Sequence, residues 1–270
     1  MLEVKILKNT HSGTEEARKL REYIQNCHVY SSEWASRTEE ECSEFERGWE
    51  EILGAHLSRS KFNRLIREGW ANENDDFRLV LFDYLFRNQV PLWHAERLPE
   101  MESPPLQNED YQLRYRETFA LLAQARVDEY LANLFSLNEE TITMLTKRDK
   151  IIAKNIDEAE MKIRRRYPRL ADKDPLKYNV QIGARHQPEM YTSIPVHVVN
   201  LEKEKKGFDK ALTQIFLEQR KGKTLEDIKN LMLITGLLSL ANDYRIPSEA
   251  ELFQMSYNEL YNITKNLRKS

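Results

Sequence analysis

Residues 4–32 constrain the fold more than any other stretch of the chain. Val4 and Ile6 flank Lys5 and lead into Leu7, the alternation of a short strand. A polar loop over 9–13 follows. From Thr14 the sequence reads as a helix: Thr14 caps it, Glu15 and Glu16 suit its first turn, and Ala17, Leu20 and Ile24 fall on one face. Residues 27–32, Cys-His-Val-Tyr-Ser-Ser, read as a second strand that delivers Glu33. Strand, helix and strand in about thirty residues is the size of a βαβ unit, and such a crossover makes the two strands parallel.

Further along, helices are expected over 38–57, 60–70 and 75–86, and a third strand over 90–98 that ends near Glu96. Two long helices follow, over 108–135 and 138–166. Val180 and Ile182 flank Gln181 as a strand that runs into Gly183 and, three residues on, His186. Residues 194–199, Ile-Pro-Val-His-Val-Val, read as a strand of the continuous, buried kind. Helices over 202–220 and 224–241, and one or two more over 247–267, close the chain. The expected fold class is therefore helix-rich α/β, a small, mostly parallel sheet with βαβ units. It is expected as a single domain over 1–270, with a helical insertion at about 37–140 and a helical extension at about 202–270. Eight glycines in 270 residues leave little room for an all-β fold with many tight turns.

Composition narrows the function classes. The net charge of -3 creates no field that favours nucleic acid or an anionic membrane. The basic run at 162–169 is expected to be the cationic end of a helix rather than a phosphate-binding patch. Cys27 and Cys42 make neither a disulfide framework nor a metal-ligand spacing, and they fit a reducing, cytoplasmic setting. The amino terminus lacks the pattern of a signal peptide. The longest apolar run, 231–240, is interrupted by Thr235, Gly236 and Ser239 and is too short to span a bilayer. The expected partners are a small-molecule or peptide substrate, with no nucleic acid and no membrane; self-association through the outer helices is open.

Three chemically able residues stand at the carboxyl ends of expected strands: His11, Glu33 and His186. Neighbouring parallel strands lie about 5 Å apart, so three such side chains can converge if their strands are adjacent. Histidines with a carboxylate suit a divalent transition metal, or an acid–base pair acting on bound water. Glu96 with His94 is a candidate fourth contribution, although a strand-edge pair is the simpler reading. His197 reads as a strand histidine with a satisfied hydrogen bond.

The order of these motifs resembles the TraB/Tiki group, which includes erythromycin-esterase-like and ChaN-like proteins. The resemblance rests on residues 2–36 (strand, His11, helix, strand ending in Glu33) and on 145–200. In the latter, Arg148-Asp149 on a helix precedes Gly183-Ala-Arg-His186. It implies a metal-dependent hydrolase acting on an ester or an amide/peptide bond. His11, Glu33 and His186 would hold a divalent ion (Mn, Zn, Co or Fe), and Arg148 would hold the glutamate or the substrate. The chain departs from the pattern at Lys8, which stands where the first Gly-x-x-His motif has its glycine. That departure leaves an alternative: the same fold kept as a non-catalytic ligand-binding or protein-interaction module.

Overall fold

The computed structural model describes residues 1–9, 19–20, 22–32, 37–55, 57–69, 76–98, 109–183, 185–201 and 207–267. In chain order the strands are β1 (Leu2–Asn9), β2 (Val29–Ser31), β3 (Arg37–Thr38), β4 (Arg97–Leu98), β5 (Leu176–Gly183) and β6 (Val196–Asn200). The helices are α1 (Glu39–Gly54), α2 (Arg59–Gly69), α3 (Asp76–Arg87), α4 (Glu109–Ala123), α5 (Val127–Asp157), α6 (Ala159–Arg166), α7 (Gly207–Arg220), α8 (Leu225–Ser239), α9 (Glu249–Leu252) and α10 (Tyr257–Lys265). Two compact units result, Met1–Glu102 with Thr146–Lys203 and Ser103–Leu145 with Glu204–Ser270.

The first unit is a helix-rich α/β fold around a four-stranded sheet in the order β2-β5-β1-β6. Every pairing in it is parallel. The register runs from Leu2 opposite Leu176 to Asn9 opposite Gly183. The two amino-terminal strands are parallel, as the βαβ spacing demanded, but they are not neighbours: β5 lies between them. Strand polarity is local, set by the crossover length, whereas order is decided by which late segment can bury both faces. β5 qualifies. Leu176, Tyr178, Val180 and Ile182 pack with Val4, Ile6, Ile152, Ile156 and Ile163. On the opposite face Leu7 and Tyr30 pack with Leu20, Ile24, Trp49, Phe62 and Phe82. The polar residues of β5 are satisfied: Tyr30 donates its hydroxyl to Gln181 at 2.6 Å, and Asn179 donates to the carbonyl of Tyr23 at 3.0 Å.

Helix α1 begins where the sequence places it. Thr38 and Glu41 form a reciprocal capping box. The expected third strand is an extended lane along β2: Tyr30 and Leu92 form a parallel bridge, and Trp93 donates its N–H to the Tyr30 carbonyl at 2.9 Å. The lane ends as β4, which pairs with β3.

Two expectations are corrected. The 194–199 strand is not of the buried kind: β6 is the sheet edge, where His197 and Val198 are exposed, Val196 is half-buried and only Val199 is buried. Its valines look like core, but a strand with one neighbour keeps an open side. The break between the long helices also moves. It falls at 124–126, where Ala125 has φ of 57°, and α5 then continues for 31 residues through Asn138. The Ser136-Leu137-Asn138 sequence suits a helix start, yet Leu137 and Asn138 are buried there and helical packing overrides the local preference.

In the second unit Leu122, Tyr130, Leu134, Ile215, Met232 and Leu233 share one core. Gly236 of α8 permits the closest approach: a Cβ there would stand 2.1 Å from Leu122 Cδ1 and 2.9 Å from the Tyr130 hydroxyl. Among the described residues no helix is long and apolar enough to cross a membrane.

Candidate functional site

Because β5 lies between β1 and β2, the chain leaving its carboxyl end emerges at the middle of one sheet edge. That chain carries His186. The turn is local: His186 donates its N–H to the Gly183 carbonyl at 3.1 Å. His186 is 3% exposed. Its Nδ1 lies 2.5 Å from Oδ1 of Asp149 on α5, and the other carboxylate oxygen accepts the N–H of Gln187 at 2.9 Å. One buried aspartate therefore fixes both the ring and the backbone beside it. With the carboxylate ionised, the shared proton resides on Nδ1, which leaves Nε2 as the basic nitrogen.

The rest of the loop is tied down in two more places. Lys8, at the end of β1, forms an ion pair with Glu189. Asp157, at the end of α5, accepts from the Thr192 hydroxyl at 2.5 Å and the Ser193 N–H at 3.0 Å. Burial pushes the Asp157 carboxyl up, but these hydrogen bonds outweigh it and hold it below its ordinary value. The charge of Lys8, the residue that departs from the motif, is thus committed to the loop that carries His186.

The residue next to Asp149 makes a second pair. Arg148 directs Nε and Nη2 to a single oxygen of Glu96, Oε1, and both residues are buried. Glu96 comes from the end of the 90–98 lane, beyond the same carboxyl edge. That lane is held by Glu46 of α1, a fully buried carboxylate. Glu46 accepts the His94 N–H at 2.8 Å, lies 3.1 Å from His94 Nδ1, and receives Arg97 Nη2 at 2.5 and 2.6 Å. Burial pushes the Glu46 carboxyl up; the hydrogen bond from His94 and the charges of His94 and Arg97 outweigh it and hold it below its ordinary value. Ala95 in the same lane donates its N–H to Ser31 at 2.8 Å, and Asn155 of α5 donates to the Ala95 carbonyl at 2.8 Å.

Of the residues expected from the sequence, His186 and Arg148 stand in these two buried pairs, anchored through consecutive positions of one helix. His11 and Glu33 lie outside the described residues. Glu96 and His94, read from sequence as a strand-edge pair, are both buried and ion-paired. His197 is exposed on the edge strand. The arginines of the basic run serve the fold: Arg164 donates to the carbonyls of Leu170 and Lys173 at 3.2 and 2.9 Å, and Arg166 binds Glu50. Glu46 escaped the sequence reading. Its signal was position, since Cys42, Glu46, Trp49 and Leu53 form one buried stripe of α1 with a carboxylate inside it.

Among the described residues no group of three or more His, Cys, Asp or Glu side chains is placed to hold a metal ion. His186 itself has the chemistry of a metal ligand as well as of a base, because a carboxylate on one ring nitrogen orients the other and raises its basicity. A hollow of about 460 Å³ in the second unit is lined by residues that include Arg114, Leu121, Arg126 and Glu140. Arg114 is paired with Glu140 and Arg126 with Glu129, so this hollow presents no uncommitted guanidinium. Compared with family models, with curated proteins and with solved structures, the chain gives no match in any of the three.

Proposed function

We propose that the carboxyl edge of the sheet is a hydrolytic site acting on an ester or an amide/peptide bond, with His186 as its base. The observation that carries this reading is the buried Asp149–His186 pair at the end of the central strand. In the reaction, Nε2 of His186 takes a proton from water as the water oxygen attacks the carbonyl carbon. Asp149 stabilises the imidazolium that forms, and the proton passes to the leaving oxygen or nitrogen as the bond to carbon breaks. The resemblance to TraB/Tiki and erythromycin-esterase-like proteins supports the same reaction class. In that version His11, Glu33 and His186 hold a divalent ion, Mn, Zn, Co or Fe, which when bound supplies a Lewis acid and lowers the pKa of water.

The test is hydrolysis of activated esters, anilides and short peptides by the wild type and by His186→Ala. Removing a positioned base costs about 10²- to 10⁴-fold in rate. A His186→Ala protein that turns over the same substrates at the wild-type rate overturns the reading. The non-catalytic alternative, a ligand-binding or interaction module on the same fold, is favoured by one observation: the residue in place of the motif glycine, Lys8, is engaged in a structural ion pair with Glu189. Wild-type protein with no turnover of any substrate in the panel supports that alternative.

A further inference from the structure

The Arg148–Glu96 pair is arranged asymmetrically. One carboxylate oxygen takes both Nε and Nη2, so one edge of the guanidinium is spent. Among the described residues nothing accepts from Nη1. The pair is 6% exposed at each residue, and it stands beside the residue that fixes His186. A guanidinium clamped in this way offers N–H donors of fixed direction, but its charge is already neutralised by the neighbour.

We propose that Glu96 is a specificity-determining residue that sets the charge of the ligand oxygen taken up by Arg148. Nη1 donates to a carbonyl oxygen or to a singly charged oxyanion. A dianion is selected against, because the charge of Arg148 is already offset by Glu96 and the second charge of the ligand meets that carboxylate. At the separation of one guanidinium width that repulsion corresponds to roughly tenfold to a hundredfold in affinity. The inference rests on the hydrolase reading for the presence of a ligand oxygen at Arg148, and it narrows the substrate class to uncharged carbonyl compounds whose oxygen gains a single charge during reaction.

The test is a titration of arginine-labelled protein, followed at the Arg148 side-chain resonances. Two probes are compared in one mildly alkaline buffer: O-methyl methylphosphonate, which carries one charge, and inorganic phosphate, which carries two. The monoanion is expected to bind at least about tenfold more tightly than phosphate. Glu96→Gln removes that preference, and Arg148→Lys weakens the monoanion about tenfold, the size of one hydrogen bond to a charged group. Phosphate binding the wild type more tightly, an unchanged ratio in Glu96→Gln, or no response of Arg148 to either probe overturns the proposal. If either variant fails to fold, the wild-type ratio decides. His186→Ala separates the two claims: it lowers hydrolysis if His186 is the base, and the preference for the monoanion over phosphate persists in it.

Discussion

Asp149 holds His186 with both of its carboxylate oxygens: one is 2.5 Å from the ring Nδ1 and the other 2.9 Å from the N–H of Gln187. The pair joins the long helix to the loop after β5 and is buried at both ends. Asp149→Ala removes a buried carboxylate and leaves an imidazole and an amide without their acceptor. The expected loss is about 2–5 kcal/mol, read as a lower midpoint in urea denaturation. His186→Ala and Asp149→Ala should be strongly non-additive, since each alone breaks the same pair.

Glu46 gives the fold an acid-sensitive joint. Its folded pKa is depressed below the ordinary 4.5, so its contribution is complete above that value and is lost as pH falls through the lower folded value. Stability measured by denaturant titration from neutral to acid pH should fall in this window. In Glu46→Gln the part of the slope that belongs to this group disappears, and stability at neutral pH drops by about 3–5 kcal/mol, because Arg97 loses its buried partner.

Gly236 marks the tightest helix contact of the second unit. Gly236→Ala puts a methyl group against Leu122 and the Tyr130 hydroxyl, which itself donates to the Met232 carbonyl at 2.8 Å. Crowding of this kind costs about 1–3 kcal/mol. A thermal melt followed by circular dichroism should move to lower temperature, whereas Gly54→Ala, where nothing lies within 4 Å, should leave it nearly in place.

Cys27 is buried, and burial pushes its thiol up to about 12. The thiolate is the reactive form, so native protein at neutral pH should resist alkylation at Cys27 and react on unfolding. Rapid labelling of native protein at this residue contradicts the packing described.

Much of the fold was legible because it is written in short-range patterns. The strand–helix–strand spacing at 4–32 gave parallel strands, and the helix expected over 38–57 begins at Thr38, the residue that caps α1. Strand order was not legible, since β5 enters between β1 and β2 from about 150 residues downstream and no local signal marks that. The edge position of β6 was hidden for the same reason: Val196, Val198 and Val199 look alike until the neighbours are counted. At the site, His186 and Arg148 stood out as residue types in a pattern. Glu96 and Asp149 were named too, but their pairing with Arg148 and His186 was not legible, since it rests on contacts 52 and 37 residues apart along the chain. Glu46 sat within an apolar helix stripe, where a carboxylate is readable as an exception but its partners, His94 and Arg97, are not.

The central claim is that Asp149 fixes the proton of His186 on Nδ1 and leaves Nε2 to act on water. Long-range proton–nitrogen NMR of the histidine side chains tests it directly. The account predicts a protonated Nδ1 on His186, a ring proton shifted far downfield and protected from exchange, and loss of that signal in Asp149→Asn. A His186 ring protonated on Nε2 in the wild type, or a Nδ1 proton unaffected by Asp149→Asn, contradicts it.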